Sequence, residues 1–349
     1  MRFKAMAAGV LVVLSAMFIG VPSSGATTGN PLTIGPWGVD SDPGNYIWQA
    51  YEAASGQNRT LLGKIALRPR VIQVGSWIPV SKVRARMAHL IANQQAGNPS
   101  KIAQLATFNL WPTGESSVTL PAGYTTTYRN WYQQFVAGIG TSRVVVILES
   151  DLTVAVGSNR SPVAREALTR WAAQLLAKHP NITVYIDGGD SDWLTPARSA
   201  QMLKAAGVGY VRGFALGSTH YARTGWDIPY GAQVVSDLGA LGIHGRHFVI
   251  DTADNGRGFT WLQFRSAHPG LDFDDAQPCT STNTRACTAL GIPPTTDVAN
   301  LRWALTPTNL ALAREYVDAY LWFGRPWLHN QAYPFELSKA LGVAAASPY

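Results

Sequence analysis

Seven short apolar runs, each of strand length and rich in β-branched residues, recur along the chain at residues 70–74, 102–108, 144–148, 182–186, 211–216, 247–250 and 319–322. Between most of them lie amphipathic segments at 81–95, 128–138, 161–178, 195–206 and 230–241. Ser81, Ser161 and Thr195 stand where helices should start, and Pro162 and Pro196 follow two of them at the first helical position. Strands alternating with helices predict a parallel sheet.

The polar residues separate a barrel from an open sheet. Nearly every run ends in a group able to bind or react: Trp77, Asn109, Glu149 with Asp151, Asp187, Ser218 with His220, and Asp251. Convergence of such ends at one face is what a (β/α) barrel active site requires. The expected fold class is therefore α/β, a distorted TIM-like barrel of about seven parallel strands forming one domain over residues 27–349. No glycine-rich phosphate loop follows the first run, which argues against nucleotide binding. The stretch 252–302 is too long for an ordinary connection and is expected to cover a site.

The first 26 residues have the layout of a cleavable secretory signal: Arg2 and Lys4, an apolar stretch, then small residues before Ala26. That stretch is shorter than the roughly 20 residues of a membrane-spanning helix, and no later one approaches it. A secreted protein is expected, with no membrane contact beyond the signal. Loss of the signal lowers the formal charge of +7 by two. The remaining basic residues form no block and no stripe with aromatics, so nucleic acid is not an expected partner. Charged residues make only 14% of the chain while aromatics make 10%, with 12 Trp. That balance suits indoles stacking on sugar rings, and equally a large core. The only cysteines, Cys279 and Cys287, are expected to form a local disulfide in an oxidising compartment. No metal, no cofactor and a monomer are expected.

Glycoside cleavage needs a carboxylic acid for the leaving oxygen, and with inversion also a base for the attacking water. Asp151 follows the most apolar run, and Asp187 ends Tyr185-Ile186-Asp187-Gly188-Gly189. A carboxyl placed after a buried strand is desolvated, and a second nearby raises its proton affinity further. Both residues could instead simply cap the helices that follow.

Ile147-Leu148-Glu149-Ser150-Asp151-Leu152 resembles the signature of glycoside hydrolase family 6, the inverting cellulases, in which a strand ends Glu-Pro-Asp. Residues 185–194 resemble that family's Tyr-Leu-Asp-Ala-Gly-His-x-x-Trp-Leu, and residues 248–256 its Ile-Asp-Thr-Ser-Arg-Asn-Gly. Two further stretches, 289–296 and 318–322, match in the right order. The resemblance implies that Asp151 is the general acid, with Asp187 a supporting carboxylate and Glu115 standing in for a third acid. It implies sugar contacts for Trp77, Trp193, Asp190, Ser218, His220, Trp322, Arg325 and Asn330. Asp190 replaces the family's His, Gly217 an Asn, Phe108 a Tyr, and Asn330 an Asp proposed to assist the base step. The base function is then left to Asp187, Glu115 or His329. Cys279 matches a family cysteine whose usual partner is missing, so Cys287 resembles a replacement. The expected activity is hydrolysis of a β-linked polysaccharide, with a sugar-binding protein that has lost turnover as the rival.

Overall fold

The computed structural model describes residues 29–349 apart from Thr219, so the signal expected over residues 1–26 lies outside the described residues. Seven strands form one sheet in sequence order, every neighbouring pair parallel: β1 (Ile72–Gly75), β2 (Ala103–Phe108), β3 (Val144–Leu148), β4 (Ile182–Asp187), β5 (Gly213–Leu216), β6 (His247–Asp251) and β7 (Val317–Leu321). All seven apolar runs became strands, and the sheet curls into an open, distorted barrel.

The two-residue repeat sorts the side chains. Val145, Ile147, Tyr185, Ala215, Val249, Ala319 and Leu321 fill the lumen, while Val144, Val146, Leu148, Val184, Ile186, Phe248 and Ile250 pack outward. The outer cluster includes residues of α3 (Val80–Gln95), α4 (Tyr124–Ile139), α6 (Pro162–Leu176), α7 (Pro196–Ala206) and α8 (Thr224–Ala240). Those are the five helices the pattern predicted. The others are α1 (Tyr46–Ala53), α2 (Gly56–Ala66), α5 (Leu152–Gly157), α9 (Trp261–Ala267), α10 (Pro307–Tyr316) and α11 (Leu337–Ala346).

Helix starts follow capping chemistry only in part. Thr195 caps α7, its side chain accepting from the Arg198 N–H. Ser161 stands at the start of α6 but turns its hydroxyl to the Val118 carbonyl. Ser81 lies inside α3, which begins after Pro79. Helix α8 begins six residues before the expected 230, with Pro229 inside it. Proline deprives the carbonyl four residues earlier of its partner. Here that carbonyl, on Gly225, accepts from the Asn309 amide of α10 at 2.9 Å.

No ladder joins β7 to β1 among the described residues. The seam is held by the Val71 N–H on the Trp322 carbonyl at 2.8 Å and the Gln73 amide on the Phe323 carbonyl at 3.3 Å. At the opposite end Leu32 enters the lumen cluster and Asp318 joins Arg212 and the Tyr185 hydroxyl at 2.6–2.8 Å. Those groups fill that end of the lumen. No helix of the described residues is long and apolar enough to cross a membrane.

Candidate active site

Beyond β3 the chain turns through two left-handed residues, Glu149 (φ 60°) and Asp151 (φ 66°). Such a conformation costs a non-glycine residue about 1–2 kcal/mol, so neighbours must impose it. The Ser150 N–H donates to the Thr107 carbonyl at 3.0 Å. The Trp111 indole donates to the Asp151 carbonyl at 3.3 Å, with the Arg165 guanidinium 4.1 Å from its ring centre. Glu149 serves as an anchor on the helix side, accepting from the Asn109 N–H and the hydroxyls of Tyr128 and Tyr132 at 2.5–2.8 Å. Burial raises its carboxyl and these bonds oppose the rise.

Asp151, so aimed, lines a cavity of about 450 Å³ together with Glu115, Asp192, Trp193 and His220. Trp261, Phe273 and Asp274 enter the same wall from the long 252–302 segment, which thus covers the site as its length suggested. Trp193 and Trp261 keep 38% and 45% of their surface exposed. Trp193 lies against His220, ring centres 4.7 Å apart. Gly157 leaves room for the indole, since a Cβ at that position would run into its nitrogen unless the ring shifted.

Asp187 sits two residues past Tyr185 on the lumen side of β4, fully buried. Burial pushes its carboxyl up to about 6, against hydrogen bonds from the Gly189 N–H (3.2 Å) and the Thr153 hydroxyl (3.4 Å). Thr153 lies in α5, whose N-cap is Asp151, so one short helix couples the two aspartates.

Glu115 is exposed overall, yet desolvation on its packed side raises its carboxyl against Arg160 and with help from Asp272. Burial likewise pushes Asp274 up to about 6, opposed by His220 and reinforced by Asp272 and Glu115. Asp192 behaves oppositely. Burial would raise it, but His220 Nδ1 at 2.7 Å and the Trp261 N–H at 2.5 Å hold it below the usual range. Behind it Asp190 is buried, its carboxyl driven well up by burial and by the charges of Asp227 and Asp192. Asp227 is itself raised by burial to about 7.

Other expected site residues fall elsewhere. Ser218 is buried after β5 and does not line the cavity. Trp77 is 57% exposed beyond β1, 6.3 Å from the Phe108 ring and outside the cavity wall. Trp322 corrects the expectation of a sugar contact: it is 2% exposed, donates its indole N–H to the Ile292 carbonyl at 2.9 Å, and packs with Leu290 and Trp327 beneath α2 and α11. Arg325 follows β7, and burial draws its guanidinium down to about 10 while Asp151 and Asp251 pull it back. Asp251 is raised by burial to about 7 and accepts the N–H groups of Ala253, Phe323 and Gly324. Asn330 stays out of the cavity wall. Its amide donates to Asp272 and its backbone N–H to Asp275, both at 3.1 Å, so it props the loop that carries Asp274. His329 lies between Asp275 and Glu336 at 3.3 and 3.2 Å, on the surface.

The motif reading passed over Asp192, Trp261, Phe273 and Asp274. Asp192 was present in the matched stretch, and the acid-rich run 272–275 in the long segment was the available signal for Asp274. Among the described residues two groupings bring metal-capable atoms within 4.8 Å of one another, Asp190 with Asp192 and His220, and Asp275 with His329 and Glu336. In the first, the Asp192–His220 bond already engages two of the three members. Cys279 and Cys287 form a disulfide.

The family model for glycosyl hydrolases family 6 matches residues 40–326. Endoglucanase A of Cellulomonas fimi is 32% identical over 218 residues, 62% of this chain, although the chain spans only 46% of that relative's length. Endoglucanase 1 of Streptomyces halstedii is 29% identical over 253 residues, covering 71% of this chain and 77% of its own. The endoglucanase Cel6 from Mycobacterium tuberculosis, solved in complex with methyl-cellobiosyl-4-deoxy-4-thio-β-D-cellobioside, superposes with a TM-score of 0.69 at 27% identity, over 91% of this chain and 99% of that one. A match over that much of the sequence, on an open parallel barrel whose carboxylates meet at the strand ends, places the chain in glycosyl hydrolases family 6.

Proposed function

We propose that this protein is a secreted hydrolase of β-1,4-glucan or a closely related β-linked polysaccharide, acting with inversion. The supporting observation is the joint cavity: Asp151, Glu115 and Asp274 share one wall with the exposed indoles of Trp193 and Trp261. Indole faces hold sugar rings, and the carboxyls supply the acid and base of the displacement. Asp151 gives its proton to the glycosidic oxygen. Asp274, or Glu115 beside it, takes the proton of the attacking water. A carboxyl poised near 6 is a serviceable base close to neutral pH. Asp187, buried beneath, positions α5 and tunes Asp151 through its charge. Arg325 counters the negative charge that gathers around Asp151 and Asp251. The disulfide fits an exported protein.

Release of reducing ends from cello-oligosaccharides, with NMR of the first-formed anomer, tests this reading. The α-anomer from a β-linked substrate is expected, and Asp151→Asn should lower kcat by about a hundredfold or more while the protein stays folded. Retention of the β-anomer, or full turnover in that variant, refutes the mechanism. The departures from the family motif at Phe108, Asp190 and Gly217 favour the rival, a glycan binder without turnover. Binding that depends on Trp193 with no turnover on any β-glucan would establish it.

A further inference from the structure

A second and larger cavity, about 1080 Å³, opens on the flank where α8, α9 and α10 meet the long segment. Its wall carries Arg223, Arg257 and Arg285 and not one aspartate or glutamate side chain; the carboxylate of Tyr349, which also lines it, accepts from Lys64 Nζ at 3.1 Å. All three arginines are exposed, and none joins a salt bridge among the described residues. Arg223 is fixed in place, its Nε donating to the Gly258 carbonyl at 3.0 Å and its guanidinium 5.0 Å from the ring centre of the exposed Trp226. The first turn of the 17-residue helix α8, which has no side-chain cap, forms part of the same wall and adds the positive end of its dipole.

The catalytic cavity has the opposite sign, with four carboxyl groups on its wall. A groove of about 610 Å³ lies between the two. It shares Asp192 with the catalytic cavity and Trp226, Leu262 and Gln263 with the arginine cavity. Adjoining clefts with exposed indoles mark a path for a chain of sugars, and the field along that path changes from negative to positive.

We propose that the arginine cavity binds acidic substituents, carboxylate or phosphate, carried on a polysaccharide whose backbone runs into the catalytic cavity. The inference rests on the glycan-hydrolase reading and names its substrate more narrowly: a charged, substituted β-glycan rather than a plain glucan. Guanidinium groups recognise planar or tetrahedral oxyanions through paired N–H donors, and three of them unneutralised in one cleft favour a polyanion over an isolated ion.

Affinity electrophoresis in carboxymethyl cellulose and in hydroxyethyl cellulose separates charge from backbone. The wild type should hold the anionic polymer about tenfold more tightly at 20 mM salt, a preference that fades by 300 mM because exposed charges are screened. Arg257→Gln with Arg285→Gln alters only exposed side chains, and adding Arg223→Gln completes the set, with folding checked by thermal denaturation. Both variants should lose preference for the anionic polymer in steps while keeping neutral-polymer binding and kcat on a short neutral cello-oligosaccharide. Persistence of the preference in the triple variant, with neutral binding intact, overturns this inference alone. Failure of the wild type to bind either polymer overturns it together with the glycan reading. Equal binding of linear polyphosphate through the same arginines overturns the assignment to a glycan.

Discussion

Asp187→Asn should separate stability from activity. The carboxyl is fully buried and rises from 3.8 to about 6 in the folded protein. An acid whose folded pKa lies above its unfolded value holds its proton more tightly when folded, so the native state is favoured at low pH. That advantage is lost as pH climbs from about 4 through 6, and above 6 the full cost is present. At about 1.36 kcal/mol per pKa unit the ionised carboxylate costs the native state roughly 3 kcal/mol at pH 8, of which roughly 2.5 kcal/mol develops above pH 4. Asparagine in the same place can accept from only one of the Gly189 N–H and the Thr153 hydroxyl, because the first goes to Oδ1 and the second to Oδ2. Its new amide N–H₂ lacks an obvious acceptor, which costs about 1–3 kcal/mol, but that cost does not change with pH. The pH-dependent part is therefore separable. With an unfolding entropy of about 2.1 cal/mol/K per residue over roughly 320 residues, 2.5 kcal/mol corresponds to roughly 3–4 °C in Tm. Scanning calorimetry of both proteins at pH 4 and pH 8 should show the variant gaining that much on the wild type between the two conditions, while its hydrolytic rate falls. Parallel Tm shifts across the range would mean that Asp187 does not titrate in this window, and the desolvation argument would fail.

Three further outcomes follow from the geometry. Trp111→Phe removes the indole donor from the Asp151 carbonyl, so kcat should drop severalfold with KM nearly unchanged; a change confined to KM would show that Trp111 does not orient the acid. Cys279→Ser with Cys287→Ser opens an eight-residue separation, and chain-entropy reasoning sets the loss near 2.5 kcal/mol, measurable by urea denaturation; unchanged stability contradicts it. Asn330→Asp sets a carboxylate against Asp272 and Asp275, so it should lower Tm and leave activity no higher, whereas raised turnover would place residue 330 in the base step after all.

The strands could be read from the sequence because a buried parallel sheet demands apolar residues on both faces, which stand out against polar connections. The place of Asp151 on the cavity wall was readable too, since it follows the most apolar strand and matches a motif. Harder to read were residues whose role depends on contacts distant in the chain. Asp274 reaches the cavity from a loop whose Asp272 and Asp275 are held by Asn330 and Lys339, far along the chain. Asp192 gains its role from His220 and Trp261, 28 and 69 residues away. Trp322 misled for a related reason: position in a matched motif says nothing about which side of the strand an indole takes, and here it faces the cluster under α11. The first turns of α8 were equally hard to read, because the Gly225 carbonyl that Pro229 leaves without a partner is taken by Asn309 of another helix.

The seam between β7 and β1 gives the molecule an uneven stiffness. Five of its six strand junctions carry four or more aligned residue pairs, whereas the seam rests on one main-chain bond and one amide side chain. Strain from a long, rigid guest in the cleft will concentrate where the fewest bonds resist it. Arg325 lies just past β7 at that weak joint, where the charges of Asp151 and Asp251 act on it, so a widening of the seam would change the field at Asp151 without unzipping any strand. The barrel is expected to open first along this line, since β3 and β4, which lead to the two aspartates, are joined by five aligned pairs. Amide exchange at Val71 should outpace that of Val146 and Val184 for the same reason.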